Sequence, residues 1–483
     1  MKAAICTLTF AFLALGTAAQ PDAVDEVWFL EQVRTHHPLM RRAATLQEIA
    51  EARELEARGA FDPTVGAAWK DKTYASIPYE TQGGPELRWE TPLGIGVQAG
   101  WNTAQGERLD ASDYMPEGGL WSLGGTVRLG RGMWTDKRRA TLAKAQAMVG
   151  VGEAERVLAE NDVLLNASAD YWTWYQMFLV VEVVREAEGL AHNRLVWSRD
   201  RLQSGEGAAI DTLEAHWNWV TRRAERAANE GKWVKARANV DRWLWAEDWT
   251  PAALPEGASP VPLLVTAEDL LSTRLWAEGD PLALDAIWAM HPYRHLYTSK
   301  GEALGTDVRF RREMLKPQID GTFGVFSPVL PGSTEWAAPN WDTNHRMELN
   351  VSMPLFLRSE RGALNVAKLS QEQTMLDLQD VHATWKAQVR GTALCLPLLR
   401  EQQANTQRTV DLARQLLAAE QAKFELGESS LFVVNSRENA LLKAQKTHAE
   451  ATAELHMVWR SWLWYLGQTD FETADVTRLL LSL

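Results

Sequence analysis

Cysteine is almost absent from this chain of 483 residues: there are two, Cys6 and Cys395. Cys6 lies in an N-terminal apolar run that reads as a cleaved signal, so Cys395 is left without an intrachain partner and stability has to come from packing or from assembly with other chains. Beyond the N-terminal region no apolar run reaches the length a membrane-spanning helix needs; the densest, residues 177–184, is short and is interrupted by Glu182. A transmembrane helix is therefore excluded there. Positive charge is also in deficit, 50 Lys plus Arg against 63 Asp plus Glu, a net −13 with no concentrated basic patch. That argues against nucleic acid as a partner. G-x-S-x-G, H-E-x-x-H, phosphate-loop and dinucleotide patterns are all missing, so no catalytic residue, cofactor or metal is nominated. His36 and His37 precede Pro38 without a companion Cys or Asp cluster, which speaks against a metal site.

Lys2, an apolar run from residue 3 to 15, and the small residues Gly16, Thr17, Ala18 and Ala19 read as a secretory signal peptide over 1–19. Tryptophan, at 23 residues, outnumbers tyrosine at 8 and phenylalanine at 12, an order that suits membrane-interface belts and tightly packed helices alike.

The chain also looks duplicated. His37-Pro38 returns as His291-Pro292, and Asp62-Pro63-Thr64 as Lys316-Pro317-Gln318, with both proline pairs 254 positions apart. Ser204-Gly205-Glu206 resembles Leu426-Gly427-Glu428, and Trp243-Leu244-Trp245 resembles Trp462-Leu463-Trp464. The expected organisation is a first repeat over 20–248, a proline-rich linker over 249–280, a second repeat over 281–467 and a tail over 468–483.

Each repeat has one order: a moderate helix (27–58; 282–312), a β region, a very long helix (135–203; 360–426) and a returning helix (210–246; 431–466). Residues 86–102 alternate, with Leu87, Trp89, Leu93, Ile95, Val97, Ala99 and Trp101 opposed to polar and glycine positions. Met347, Leu349, Val351 and Met353 repeat the pattern. These are two-faced strands. With partners at 64–74 and 318–326, and residues 123–129 extending the second strand, each repeat supplies about one hairpin. Each long helix, at ~1.5 Å per residue, would run roughly 100 Å, and Pro397 is expected to kink or interrupt the second.

Alternating strands in an exported chain that lacks a spanning helix suggest a membrane β-barrel, since closure satisfies the backbone in lipid. Four strands cannot close one, so several chains must share the wall. The fold class expected is mainly α with a β-barrel portion.

At this point the chain resembles the TolC-like outer-membrane efflux proteins. The resemblance rests on the duplicated order and on two tip segments, Gly205-Glu206-Gly207-Ala208-Ala209-Ile210-Asp211 and Gly427-Glu428-Ser429-Ser430-Leu431. It implies a homotrimer with a twelve-stranded barrel in outer-membrane lipid and a periplasmic α-helical barrel. It further implies helical tips closing as an iris, a periplasmic membrane-fusion adaptor as partner and an inner-membrane transporter as indirect partner. The function implied is the exit duct of a tripartite efflux pump or type I secretion system. Asp211 falls at the implied pore constriction, where three copies would focus negative potential; it could equally charge the start of the returning helix. Gly205 and Gly427 turn the tips, with Leu213, Ser430 and Leu431 as candidate adaptor contacts, although Leu213 and Leu431 could equally be buried in the helical hairpin itself. Phe424 and Ser429 stand where some relatives carry latch residues, and Glu428 or Glu438 could substitute or be merely solvated. Trp69, Trp89, Trp101 and Trp121 are candidates for the membrane interface, whereas Trp172, Trp174, Trp217 and Trp219 read as helix packing. The rivals are a periplasmic coiled-coil adaptor or scaffold, which would not need amphipathic hairpins, and a secreted hydrolase, for which no carboxylate pair is present.

Overall fold

The computed structural model describes residues 23–107, 109, 114–261, 281–328 and 342–467. The chain divides into two compact units. One comprises Arg41–Ala159 and Pro281–Gln388; the other comprises Met1–Met40, Glu160–Asp280 and Val389–Leu483.

The first unit holds a six-stranded antiparallel sheet: β2 (Thr64–Tyr74), β3 (Ile77–Glu90), β4 (Ile95–Gln105), β5 (Leu120–Arg128), β7 (Gln318–Pro328) and β8 (His345–Ser352), hydrogen-bonded in that order. This departs from one hairpin per repeat, because the first repeat contributes four strands and the second two. The stretch 86–102, expected as one strand, is broken by a turn in which Gly94 takes φ +80° and donates to the Thr91 carbonyl. The β2–β3 reversal is made by Ala75 and Ser76, both at positive φ, which is a hairpin turn of the primed kind without glycine.

Helix α2 (Pro38–Gly59) precedes β2, and α6 (Pro292–Glu313) precedes β7. The helix following β5 is α3 (Lys137–Gln203); its first turn is capped by Asp136, which accepts from the Arg139 backbone N–H at 2.9 Å and from Arg128 at 2.8 Å. One charged side chain thus joins the last strand of the repeat to the start of its long helix. Gly152 lets α3 approach α2 closely, since a Cβ there would lie 2.7 Å from that of Ala50. Val151, Ala154 and Leu296 pack together at this level, and Val308 packs with Leu364 and Ala367.

The second unit contains α1 (Glu26–His36), the later part of α3, α4 (Ala209–Asp241), the later part of α7 (Arg358–Glu425) and α8 (Leu431–Tyr465). Its core is aromatic: Phe29, Tyr171, Trp172 and Trp174 are fully buried with Val240 and Ala453. Strand β1 (Ala23–Val24) pairs in parallel with β6 (Ser259–Pro260), and the Tyr171 hydroxyl lies 2.9 Å from the Val24 carbonyl and 2.6 Å from that of Val261. The stretch from Trp249 onward, expected as a plain linker, therefore packs into this unit through Leu254 and Ala258. Helix α7 continues through Pro397 instead of stopping there. The buried Leu396 and Leu399 beside it hold the segment helical through packing.

Each expected first helix is two. Helix α1 ends before α2 begins at Pro38, and α5 (Pro281–Met290) ends before α6 begins at Pro292. At both breaks the histidine caps the following helix. His37 Nδ1 accepts from Leu39 N–H at 3.1 Å, and His291 Nδ1 accepts from Tyr293 N–H at 3.2 Å. Proline at the first helical position has no N–H to satisfy, so the next donor takes the imidazole. Burial lowers the His37 pKa, keeping the ring a neutral acceptor. The expected signal peptide, the later part of the linker and the tail lie outside the described residues.

Candidate functional site: the sheet faces and the helical tips

Residues paired across an antiparallel sheet share a face. Following the register from β2 to β8, one row runs Val65, Leu87, Ala99, Leu123 and Val325 and ends at His345, and a neighbouring row runs Trp89, Val97, Gly125, Phe323 and Met347. The opposite face carries Arg88, Gln98, Asp320 and Asn350 together with Glu86, Arg128, Thr322 and Glu348. The first side is therefore mainly apolar and the second mainly polar, with Asp71, Thr81 and His345 as polar residues on the first. The apolar side is open: Val65 is 81% exposed, Leu349 66% and Val351 64%. A water-soluble sheet of this kind would cover that face with helices.

Trp69, Trp89 and Trp101 all fall on the apolar face by this register. Trp69 and Trp89 are exposed, and the Trp89 indole N–H donates to the Phe61 carbonyl at 3.0 Å. Trp101 is half-buried, pairs with Trp121 and donates to the Gly118 carbonyl at 3.3 Å. Trp69 lies in the middle of β2, and Trp101 stands four residues along β4 from Val97, the partner of Trp89. Trp121, expected at the interface with the other three, falls on the same face.

The helical tips lie in the second unit. Gly205 and Gly427 both have φ +78° and open space where a Cβ would stand. Glu206 N–H reaches back to the Arg201 carbonyl and Glu428 N–H to that of Lys423, each at 2.9 Å. This is the same glycine-closed helix end in both repeats, and backbone conformation alone requires the glycine. Asp211 is exposed in the first turn of α4, whose N-cap Ala208 offers no side-chain acceptor, so its carboxylate sits where the helix dipole favours it. Ser430 is the exposed N-cap of α8.

The two leucines assigned to the adaptor contact separate. Leu213 is 68% exposed, but Leu431 is buried against Leu195 and Ala215, with Trp219 and Phe424 around it. Of the two alternatives open for Leu431, its burial fits the hairpin core and not an outside contact. Trp217 is corrected in the opposite sense: at 68% exposure it is surface, unlike the buried Trp172 and Trp174. Ile210, Leu426 and Phe432 are also exposed at the tips, and the sequence reading passed over them because short apolar positions beside a turn carry no periodicity.

Glu438, which could have been a solvated charge, is paired. Arg194 of α3 donates to Glu438 through both terminal nitrogens, one contact at 2.8 Å, and to Asn435 Oδ1 at 2.9 Å. Asn218 of α4 also donates to Asn435 Oδ1, at 3.1 Å, while the Asn435 amide donates to Glu214 at 3.1 Å. Further along, Arg222 reaches Asn439, and Lys446 reaches Glu225. Burial raises the Glu225 carboxyl's pKa, but hydrogen bonds from Lys446 and Arg222 outweigh it and leave the pKa lowered. Asn435, Glu438, Asn439 and Lys446 form one stripe of α8, so the returning helix of the second repeat is stitched to both long helices of the first. At the second tip itself, Ser429 donates to Glu420 at 2.5 Å, and Phe424 meets the Trp197 ring edge-on at 5.8 Å. No group of side chains able to hold a metal ion occurs, and no helix is long and apolar enough to cross a membrane, among the described residues.

Residues 302–461, about a third of the chain, match the family model described as outer membrane efflux protein. The whole chain has the fold of solved outer-membrane channels. It is similar to the outer-membrane channel OprN at 15% identity and TM-score 0.64, covering 92% of this chain and 89% of that one. It is similar to the Vibrio cholerae outer membrane protein VceC at 13% identity and TM-score 0.64, covering 92% and 96%. To the Campylobacter jejuni outer membrane channel CmeC the values are 11% and 0.63, covering 94% and 89%. No curated protein matches the sequence.

Proposed function

We propose that this protein is the outer-membrane exit duct of a tripartite efflux pump or a type I secretion system. It is a passive conduit located in the outer membrane and extending into the periplasm. The observation that carries this reading is the exposed, mainly apolar face to which all six strands contribute, which lipid or an equivalent apolar cover would satisfy. Three copies share one closed wall, because a single sheet leaves its two edge strands unpaired. No bond is broken by the chain; energy enters through an inner-membrane transporter, and a periplasmic membrane-fusion adaptor meets the tips.

In this reading the helical tips are the gate. Asp211 from each copy lines the constriction and favours cations. The Arg194–Glu438 pair and its asparagine neighbours hold the two repeats' helices in the closed arrangement, standing in for the latch residues replaced by Phe424 and Ser429. The tip turns at Gly205 and Gly427, with Leu213, Ser430, Ile210 and Phe432, present the adaptor contact. Trp69, Trp89 and Trp101 sit at the lipid interfaces. A periplasmic adaptor, the rival reading, has no use for an exposed apolar sheet face.

The test is reconstitution. Detergent-extracted protein should be trimeric and should insert conducting channels into planar bilayers. A monomer that stays in solution without detergent and conducts nothing would sink the proposal.

A further inference from the structure

The duplication allows the strands of the two repeats to be matched. Strands β2 and β7 begin directly after Pro63 and Pro317, the prolines 254 positions apart, and β5 and β8 each lead into a long helix. In the second repeat β7 and β8 pair directly. In the first, β2 and β5 are separated by β3 and β4, so this pair is an addition to the first repeat.

The added strands are part of the wall. They lie in the plane of the sheet between β2 and β5, hydrogen-bonded on both sides. They also keep its facing: Leu87, Trp89, Ile95 and Val97 continue the apolar side, and Glu86, Arg88 and Gln98 the polar side. A lobe folded over the barrel mouth would have no reason to preserve that alternation.

Both edges of the widened sheet are suited to each other. Every residue of β2 and every residue of β8 is exposed. Strand β2 leaves a helix and β8 enters one, so the β8 of one copy and the β2 of the next run antiparallel, like every other pair in the sheet. Val65, Ala67 and Trp69 on one edge and Met347, Leu349 and Val351 on the other carry the same apolar face, so pairing keeps lipid-facing side chains on one side. Two long bare edges would otherwise leave a row of unpaired backbone groups in lipid.

We infer that a second copy of this chain pairs its β8 with the exposed edge of β2, so that three copies of this six-stranded sheet close a barrel of 18 strands in place of the twelve the family resemblance implies. The inference rests on the trimeric duct reading and deepens it. Since barrel diameter grows roughly in proportion to strand number, the wall would be about 1.5-fold wider than a twelve-stranded one.

Inter-copy disulfide trapping in a Cys395→Ser background tests it. Ala67→Cys combined with Leu349→Cys or with Val351→Cys places thiols on the same face of the two edges. At least one combination should give covalent trimers on a non-reducing denaturing gel, and each single-cysteine parent should give none. Trapping of Leu349→Cys with Val97→Cys instead would mean that the wall uses β4 as its edge and only four strands per chain, overturning the inference while leaving the duct intact. A native trimer that conducts but traps through neither edge would overturn it in the same way. A chain that is monomeric and silent in bilayers would take the duct reading down with it. Cross-sections by electron microscopy give the strand count independently of any substitution.

Discussion

Glu26 and Arg460, 434 positions apart, form a two-bond fork in the core of the helical unit, with Nε to Oε1 at 2.9 Å and Nη2 to Oε2 at 2.7 Å. Ser168 donates to the same Oε1 at 2.6 Å, and neither charged side chain is more than 3% exposed. The first helix of the first repeat is thereby fixed to the last helix of the second and to α3.

Breaking that fork leaves a buried charge without its partner, which typically costs about 3–5 kcal/mol. Arg460→Leu and Glu26→Gln should each lower the unfolding temperature and increase protease sensitivity. The double variant Glu26→Leu with Arg460→Leu should recover part of the loss, because no charge then remains inside. Equal loss in the single and double variants would show that the pair contributes only shape.

Arg194→Ala and Glu438→Ala should each loosen the tips and raise the closed-state leak in planar bilayers. The double variant should be no leakier than either single one, with a coupling of about 0.5–3 kcal/mol as expected for contacting residues. Additive leak would deny that the two side chains act as one tie.

Asp211→Ala should weaken cation preference without altering trimer stability, since the side chain is exposed and charges only the start of α4. The measurement is the reversal potential under a salt gradient. An unshifted potential removes Asp211 from the constriction.

Acid should destabilise the helical unit through His456. Its ring stacks on Trp172 at 3.8 Å, and burial, followed by the charges of Arg460 and Arg400, pushes its pKa down to about 3 from 6.5. The unfolded chain takes up the proton first, so this contribution is full above about pH 6.5 and is lost as pH falls toward 3, by up to about 1.4 kcal/mol per unit. His456→Phe, keeping the stack, should flatten the acid limb of the stability profile. A profile identical to that of the unaltered protein would place the acid sensitivity elsewhere.

What the sequence could show follows from how local each signal is. Alternation marks a strand wherever it lies, and the glycine turns after α3 and α7 declare themselves through a single residue type at +78°. The turn between β3 and β4 stayed hidden because it takes four residues, 91–94, so Leu87 and Trp89 before it and Ile95 and Val97 after it keep the same parity. An even-length reversal leaves the alternation unbroken, and one long strand and two short ones read alike. The His-Pro echo was visible as a repeat, while its role as a helix cap waited on seeing which donor each Nδ1 faces.

By itself the sequence determined the duplication, the four long helical arms, the two-faced strands and the glycine-closed tips, all of which are set by residues near one another in the chain. Only the tertiary structure decided that six strands share one sheet, that Leu431 turns inward while Leu213 turns outward, and that Arg194 answers Glu438. Those depend on which distant segments come to lie side by side, and spacing along a chain carries no record of its neighbours across a sheet or a helical bundle.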